Sequence, residues 1–149
     1  MRILVTAAGR AIGHATCSAL TAAGHEVIAT ARDVSMLEDL DVALRLPLDV
    51  TDDESVRAAV AAAGPVDGLV NNAALGGSAP IETYPIDRVR SMLETNVLGA
   101  LRMVQHLTPG WRERGHGVIV NISSVQGRVT SPLSGPYSAS KHEIGRAHV

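Results

Sequence analysis

The chain has 149 residues, 46% of them apolar, and a formal net charge of −2, which bounds it to one domain, or part of one, with a sizeable core. That balance gives no electrostatic case for nucleic acid or an anionic membrane as partner, and two Tyr, one Trp and no Phe supply no base-stacking platform. The lone Cys17 excludes a disulfide framework and fits a reducing cytoplasm, and no apolar run reaches membrane-spanning length.

In chain order, residues 1–6 read as a short buried strand, with no signal-peptide layout before it, and 7–13 as a loop of small residues. Residues 12–23 read as a helix that Gly24 stops, and 26–31 as a second strand. In such a βαβ unit the first strand-to-helix loop is the expected phosphate site. Residues 34–40 read as a short helix and 44–48 as a third strand ending at Asp49. Asp52 caps a helix over 54–63, which Gly64-Pro65 ends. Residues 68–70 form a fourth strand leading into Asn71-Asn72-Ala73-Ala74, and 75–85 a flexible loop. Residues 86–114 are helical, interrupted near Asn96 and Pro109. Residues 118–122 read as a buried fifth strand, and Tyr137 opens a further helix. Strands alternating with helices predict an α/β fold, a parallel sheet covered on both faces.

Chemistry concentrates at the end of this run. Tyr137 and Lys141 are four apart, so on a helix they share a face one turn apart. An ammonium beside a phenol stabilises the phenolate, and a Tyr that works near neutral pH needs its pKa moved by roughly 3 units, about 4 kcal/mol. Ser124 precedes them at the end of the fifth strand, where a hydroxyl can hydrogen-bond the carbonyl oxygen that Tyr137 protonates. Of thirteen basic residues twelve are Arg; the one Lys is Lys141, where a compact ammonium suits and a planar fork does not. Asn96 in a helix interior is unfavourable by propensity and hints at a role. The six His are scattered and form no cluster of metal-ligating residues, so no metal site is expected. Asp67 reads as a turn residue, and Trp111 as filling for an interface or the core.

The first loop, Thr6-Ala7-Ala8-Gly9-Arg10-Ala11-Ile12-Gly13, is an imperfect dinucleotide fingerprint that keeps only Gly9 and Gly13. At the end of strand two, where an acidic residue would accept from a ribose 2′-hydroxyl, stands Ala31, followed by Arg32. Arg32 and Arg10 suit a 2′-phosphate, so NADP(H) is expected over NAD(H), with Asp33 read as a solvated residue opening the next turn.

Taken together these segments resemble the short-chain dehydrogenase/reductase family, and several, such as 27–32 and 135–142, are similar to the branch that includes steroid and retinol dehydrogenase-like members. The family's Thr-Gly-x-x-x-Gly-x-Gly is matched by Thr6 to Gly13, with Ala7 and Ala11 in the first two glycine places. Its Asp-Val is matched by Asp49-Val50, its Asn-Asn-Ala-Gly by Asn71 to Ala74, and its helix asparagine by Asn96. Its serine, tyrosine and lysine are matched by Ser124, Tyr137 and Lys141. The resemblance implies a doubly wound, Rossmann-like sheet of order 3-2-1-4-5, lacking the family's last two strands. It implies a catalytic set of Asn96, Ser124, Tyr137 and Lys141. It implies cofactor contacts from Thr6, Gly9, Arg10, Ile12, Gly13, Arg32, Asp49, Val50, Asn72, Ala73, Tyr137 and Lys141. The implied activity is carbonyl–alcohol interconversion on a small molecule by a cytoplasmic homo-oligomer, dimer or tetramer. Two alternatives stay open: an NADP-binding sensor of the same fold with its chemistry lost, and an inactive gene fragment. Residues 1–142 are expected to be the N-terminal part of one domain. Residues 143–149, Glu-Ile-Gly-Arg-Ala-His-Val, continue the helix pattern poorly and match the in-frame translation of a sequencing-library adapter, so they are expected to be a non-native tail.

Overall fold

A computed structural model describes residues 1–145. Five strands run parallel in the order β3-β2-β1-β4-β5: β1 is Arg2–Val5, β2 Glu26–Ala31, β3 Leu44–Pro47, β4 Gly68–Asn71 and β5 Val118–Asn121. The predicted strands are all present. Parallel pairing requires crossovers, and the apolar runs feed helices that supply them: α1 (Ala11–Ala22), α2 (Asp53–Ala63), α3 (Ile86–Leu93), α4 (Gly99–Arg114) and α5 (Gly135–Ile144). Asp52 caps α2 as expected, its carboxylate accepting from Glu54 N at 2.9 Å. The predicted helix over 34–40 is only a 3₁₀ turn, Val34–Leu37, opened by Asp33, which accepts from Ser35 N and Oγ.

Alternate residues of the strands serve two cores. Leu4, Ile28 and Leu69 pack with Val56, Met103 and Trp111 of α2 and α4. On the opposite face Val5, Val27, Ala29 and Val70 pack with Cys17 of α1 and with Leu37. Trp111 is core filling, and its Nε1–H donates to Val66 O at 2.7 Å. Burial in apolar surroundings pushes the Cys17 thiol up to about 11. Asp67 does more than turn the chain. It accepts from Arg2 N at 2.8 Å and pairs with His116, tying the starts of β1 and β5 together.

The fifth strand, whose apolar residues suit a central buried position, lies at the edge of the sheet. Ile119 packs on the α2–α4 core, but Val118 and Val120 are 49% and 46% exposed. Among the described residues β5 pairs with β4 alone, and α1 covers the sheet face over β1 and β2 rather than over β5. The long helical segment is interrupted at Asn96, where residues Glu94–Leu98 form a π turn between α3 and α4. It is not interrupted at Pro109, which lies inside α4. Pro109 and Gln105 are both exposed, so water can satisfy the carbonyl that the missing N–H leaves free. Of the expected non-native tail, Glu143 and Ile144 continue α5 and Ile144 is buried, whereas residues 146–149 lie outside the described residues. Among the described residues no helix is long and apolar enough to cross a membrane.

Candidate active site

The carboxyl ends of β1, β4 and β5 meet at one edge of the sheet, the usual ligand crevice of an open parallel fold. The loop after β1 is held there by Thr6, which is buried. Its hydroxyl donates to Val70 O and accepts from Asn72 N at 2.9 Å and Ala73 N at 3.0 Å. Asn72 returns the clamp, its Nδ2 donating to Thr6 O and Ala7 O, both at 3.0 Å. Two close approaches explain the glycines of this loop. A Cβ on Gly13 would lie 2.4 Å from Ala7 O and 2.6 Å from Asn72 Nδ2, and one on Gly9 would lie 2.8 Å from Met36 Cβ. Ala7 and Ala11 hold φ of +51° and +43°, the left-handed region that glycine adopts without strain.

The start of α1 suits an anion. No side chain caps it, no acidic residue sits in its first turn, and Arg10 at the N-cap is exposed. Arg32 is also exposed, just past the end of β2. Burial alone would raise the Asp49 carboxyl's pKa. Thr51, donating from N at 2.9 Å and Oγ1 at 2.7 Å, and the nearby Arg32 charge bring it below the ordinary carboxylate value. The cradle of close backbone and uncapped amides is the shape a pyrophosphate requires, so these residues fit a dinucleotide.

The catalytic candidates stand on three segments: Asn96 in the π turn, Ser124 in the turn after β5, and Tyr137 and Lys141 on α5. Asn96 is buried in the π turn, and its side chain grips the loop after β4, accepting from Leu75 N at 2.7 Å and donating to Leu75 O at 2.9 Å. Its Nδ2 also donates to Ser140 Oγ at 2.9 Å, and Ser140 donates to Tyr137 O at 2.8 Å. Lys141 is buried on α5, its Nζ donating to Ile122 O at 2.7 Å at the end of β5. Desolvation pulls its pKa below the ordinary lysine value. Ser124 accepts from Gln126 N at 3.2 Å, which leaves its own proton for another acceptor. Tyr137 is half-buried on α5. Thr6, Asn71, Asn96 and Lys141 line one small pocket, and among the described residues Asn71 Oδ1 is buried without a hydrogen-bond partner. Ile12 is exposed on the first turn of α1, whereas Val50 is buried against Gly99, whose Cβ would lie 2.7 Å from Val50 Cγ2.

A family model described as "short chain dehydrogenase" matches residues 1–146. The chain belongs to the short-chain dehydrogenase family. It is 36% identical over 146 residues to the 3-ketodihydrosphingosine reductase of Bacteroides thetaiotaomicron, covering 95% of this chain and 54% of that protein. Among solved structures it is similar to a Burkholderia cenocepacia gluconate 5-dehydrogenase in complex with NADP and tartrate. There the TM-score is 0.88 at 30% identity, covering 96% of this chain and 61% of that one. It is similar also to a Brucella melitensis 3-ketoacyl-(acyl-carrier-protein) reductase complexed with NADH, with TM-score 0.91 at 29% identity, covering 96% and 65%. The chain thus spans about half the length of the relative it matches.

Within this short-chain dehydrogenase several residues that hydrogen-bond around these candidates were not singled out from sequence. Ser140 bridges Asn96 to the carbonyl of Tyr137. Ser123 Oγ donates to Lys141 O at 2.8 Å, and Ser138 Oγ to Gln126 Oε1 at 3.1 Å, so the turn carrying Ser124 is fastened to α5 on both sides. The Asn71 amide donates to Asn121 Oδ1 at 2.9 Å, joining the ends of β4 and β5. The Asn71–Asn121 pair follows from strand register, a signal that becomes legible once β4 and β5 are paired.

Proposed function

We propose that the full-length protein is an NADP(H)-dependent oxidoreductase that interconverts a carbonyl and a secondary alcohol. The observation that carries this reading is that Asn96 and Lys141 line one pocket with Thr6, beside a backbone cradle fit for a pyrophosphate. Bound there, the nicotinamide supplies or accepts the hydride. Tyr137 gives or takes the hydroxyl proton, and Ser124, whose own proton is free, orients the substrate oxygen. Lys141 sits four residues on and, with donors left after Ile122 O, stabilises the phenolate and binds the nicotinamide ribose. Asn96 holds the loop after β4 against α5 and so supports this set.

The choice of NADP(H) over NAD(H) rests on two exposed guanidinium groups, Arg10 and Arg32, and on the absence of a carboxylate at Ala31. Asp33 is turned into its own cap with Ser35, which supports its reading as a bystander. Exposed Leu98 and Leu101 at the start of α4 support a dimer or tetramer, and the lone cysteine a cytoplasmic setting.

The deciding experiment is a titration of the full-length protein with NADPH and NADH, followed by turnover on a panel of ketones and secondary alcohols. The expected result is tighter binding of NADPH and reduction of at least one ketone. Cofactor binding with no turnover across the panel would instead favour the sensor reading.

A further inference from the structure

Arg102 lies outside the set described above, yet it joins the loop after β3, which carries Asp49 and Val50, to the π turn that carries Asn96. It stands on the first turns of α4 and is four-fifths buried. Its guanidinium makes three contacts in three directions. Nε pairs with Asp53 Oδ1 at 2.8 Å at the start of α2. Nη1 donates to Val50 O at 3.3 Å, in the loop after β3. Nη2 pairs with Glu94, the first residue of the π turn that carries Asn96. Gly99, one helical turn earlier, lets α4 press on the same loop, since a Cβ there would meet Val50 O at 3.1 Å. A guanidinium spreads its donors over a rigid plane and so spans acceptors on separate elements, whereas an ammonium offers its three donors from one point.

We propose that Arg102 is a positioning residue that ties the loop holding the adenosine end of the cofactor to the π turn that holds Asn96 against the catalytic helix. The inference rests on the cofactor reading given above. It assigns separate tasks to the partners. The Asp53 and Val50 contacts set the shape of the 49–53 loop, and hence cofactor affinity. The Glu94 contact sets the π turn, and hence the rate of the chemical step.

The test uses the full-length protein and four variants, with NADPH affinity read by fluorescence titration and turnover read at saturating cofactor. Asp53→Asn should raise the NADPH Kd by about fivefold and leave kcat unchanged, whereas Glu94→Gln should lower kcat by about fivefold and leave Kd unchanged. Arg102→Ala should do both, and Arg102→Lys, the variant expected to keep its fold, should recover one of the two losses and not the other. A general loss of packing would move melting temperature in all four without this split. Unchanged Kd and kcat in Arg102→Lys and in both partner variants, with a normal wild type, overturn the positioning role alone. A wild-type protein that binds neither cofactor overturns the functional reading, and this inference with it.

Discussion

The two halves of the crevice are built from different materials. Around the start of α1, position is set by the absence of side chains: Gly13 lets Ala7 O and Asn72 approach, and α1 offers uncapped amides. Around α5, position is set by side chains reaching across the chain. Asn96 grips Leu75, 21 residues away, and Ser140, 44 away, while Lys141 reaches Ile122 O. A backbone cradle tolerates small changes that keep its shape, so Ala7 and Ala11 can stand at positive φ at a cost of about 1 kcal/mol each. A web of side-chain bonds has no such slack, because each removed partner leaves a buried polar group unpaired at about 1–3 kcal/mol.

The largest expected effect breaks the chemistry without touching either material. In the full-length protein Tyr137→Phe should cost on the order of a thousandfold in turnover and leave NADPH affinity nearly intact. Lys141→Arg should fare no better, since a guanidinium does not fit the ammonium's place at Ile122 O. Near-normal turnover in either would remove the assigned roles.

Next, Gly13→Ala attacks the cradle where it has no slack. A methyl 2.4 Å from a backbone oxygen must displace the loop, and about 2–3 kcal/mol of stability should go with it, together with most cofactor affinity. A melting curve and a titration check this, and an unchanged pair would show that the cradle yields more than its geometry allows. Arg32→Asp is a smaller and more selective change. It removes a 2′-phosphate partner and adds a repulsive charge, so NADPH binding should weaken by at least about tenfold, ~1.4 kcal/mol, with NADH little affected. Equal loss for both cofactors would make Arg32 structural.

Ala7→Gly and Ala11→Gly sharpen the contrast from the other side. Each should stabilise the protein by under about 1 kcal/mol, the relief of positive-φ strain being partly offset by the entropy of a freer unfolded chain. A loss of melting temperature in both would show that the strain is absent. The smallest effect is a slope. Burial holds the Lys141 pKa below the ordinary 10.5, so between the two values the unfolded chain binds more protons than the folded one. Stability should therefore rise with pH through that window, and Lys141→Met should flatten the rise. Parallel pH profiles for the two proteins would mean that Lys141 is no harder to charge when folded.

The sequence by itself determined the parallel sheet and its flanking helices, because apolar runs of strand length alternate with helical spacing and end at residues such as Gly24, Asp52 and Gly64 that stop or cap them locally. It also determined the spacing of Tyr137 and Lys141, since four residues on one helix need no tertiary information. Only the tertiary structure decided that Val118 and Val120 stand half-exposed, because burial depends on which elements lie over a strand and not on the strand's own residues. It alone decided that the helix break near Asn96 is a π turn locked by Leu75 and Ser140, and that Arg102 reaches Val50, Asp53 and Glu94. Those partners lie between 8 and 52 residues away, and nothing local in a polar residue states which distant backbone or side chain the fold will bring to it.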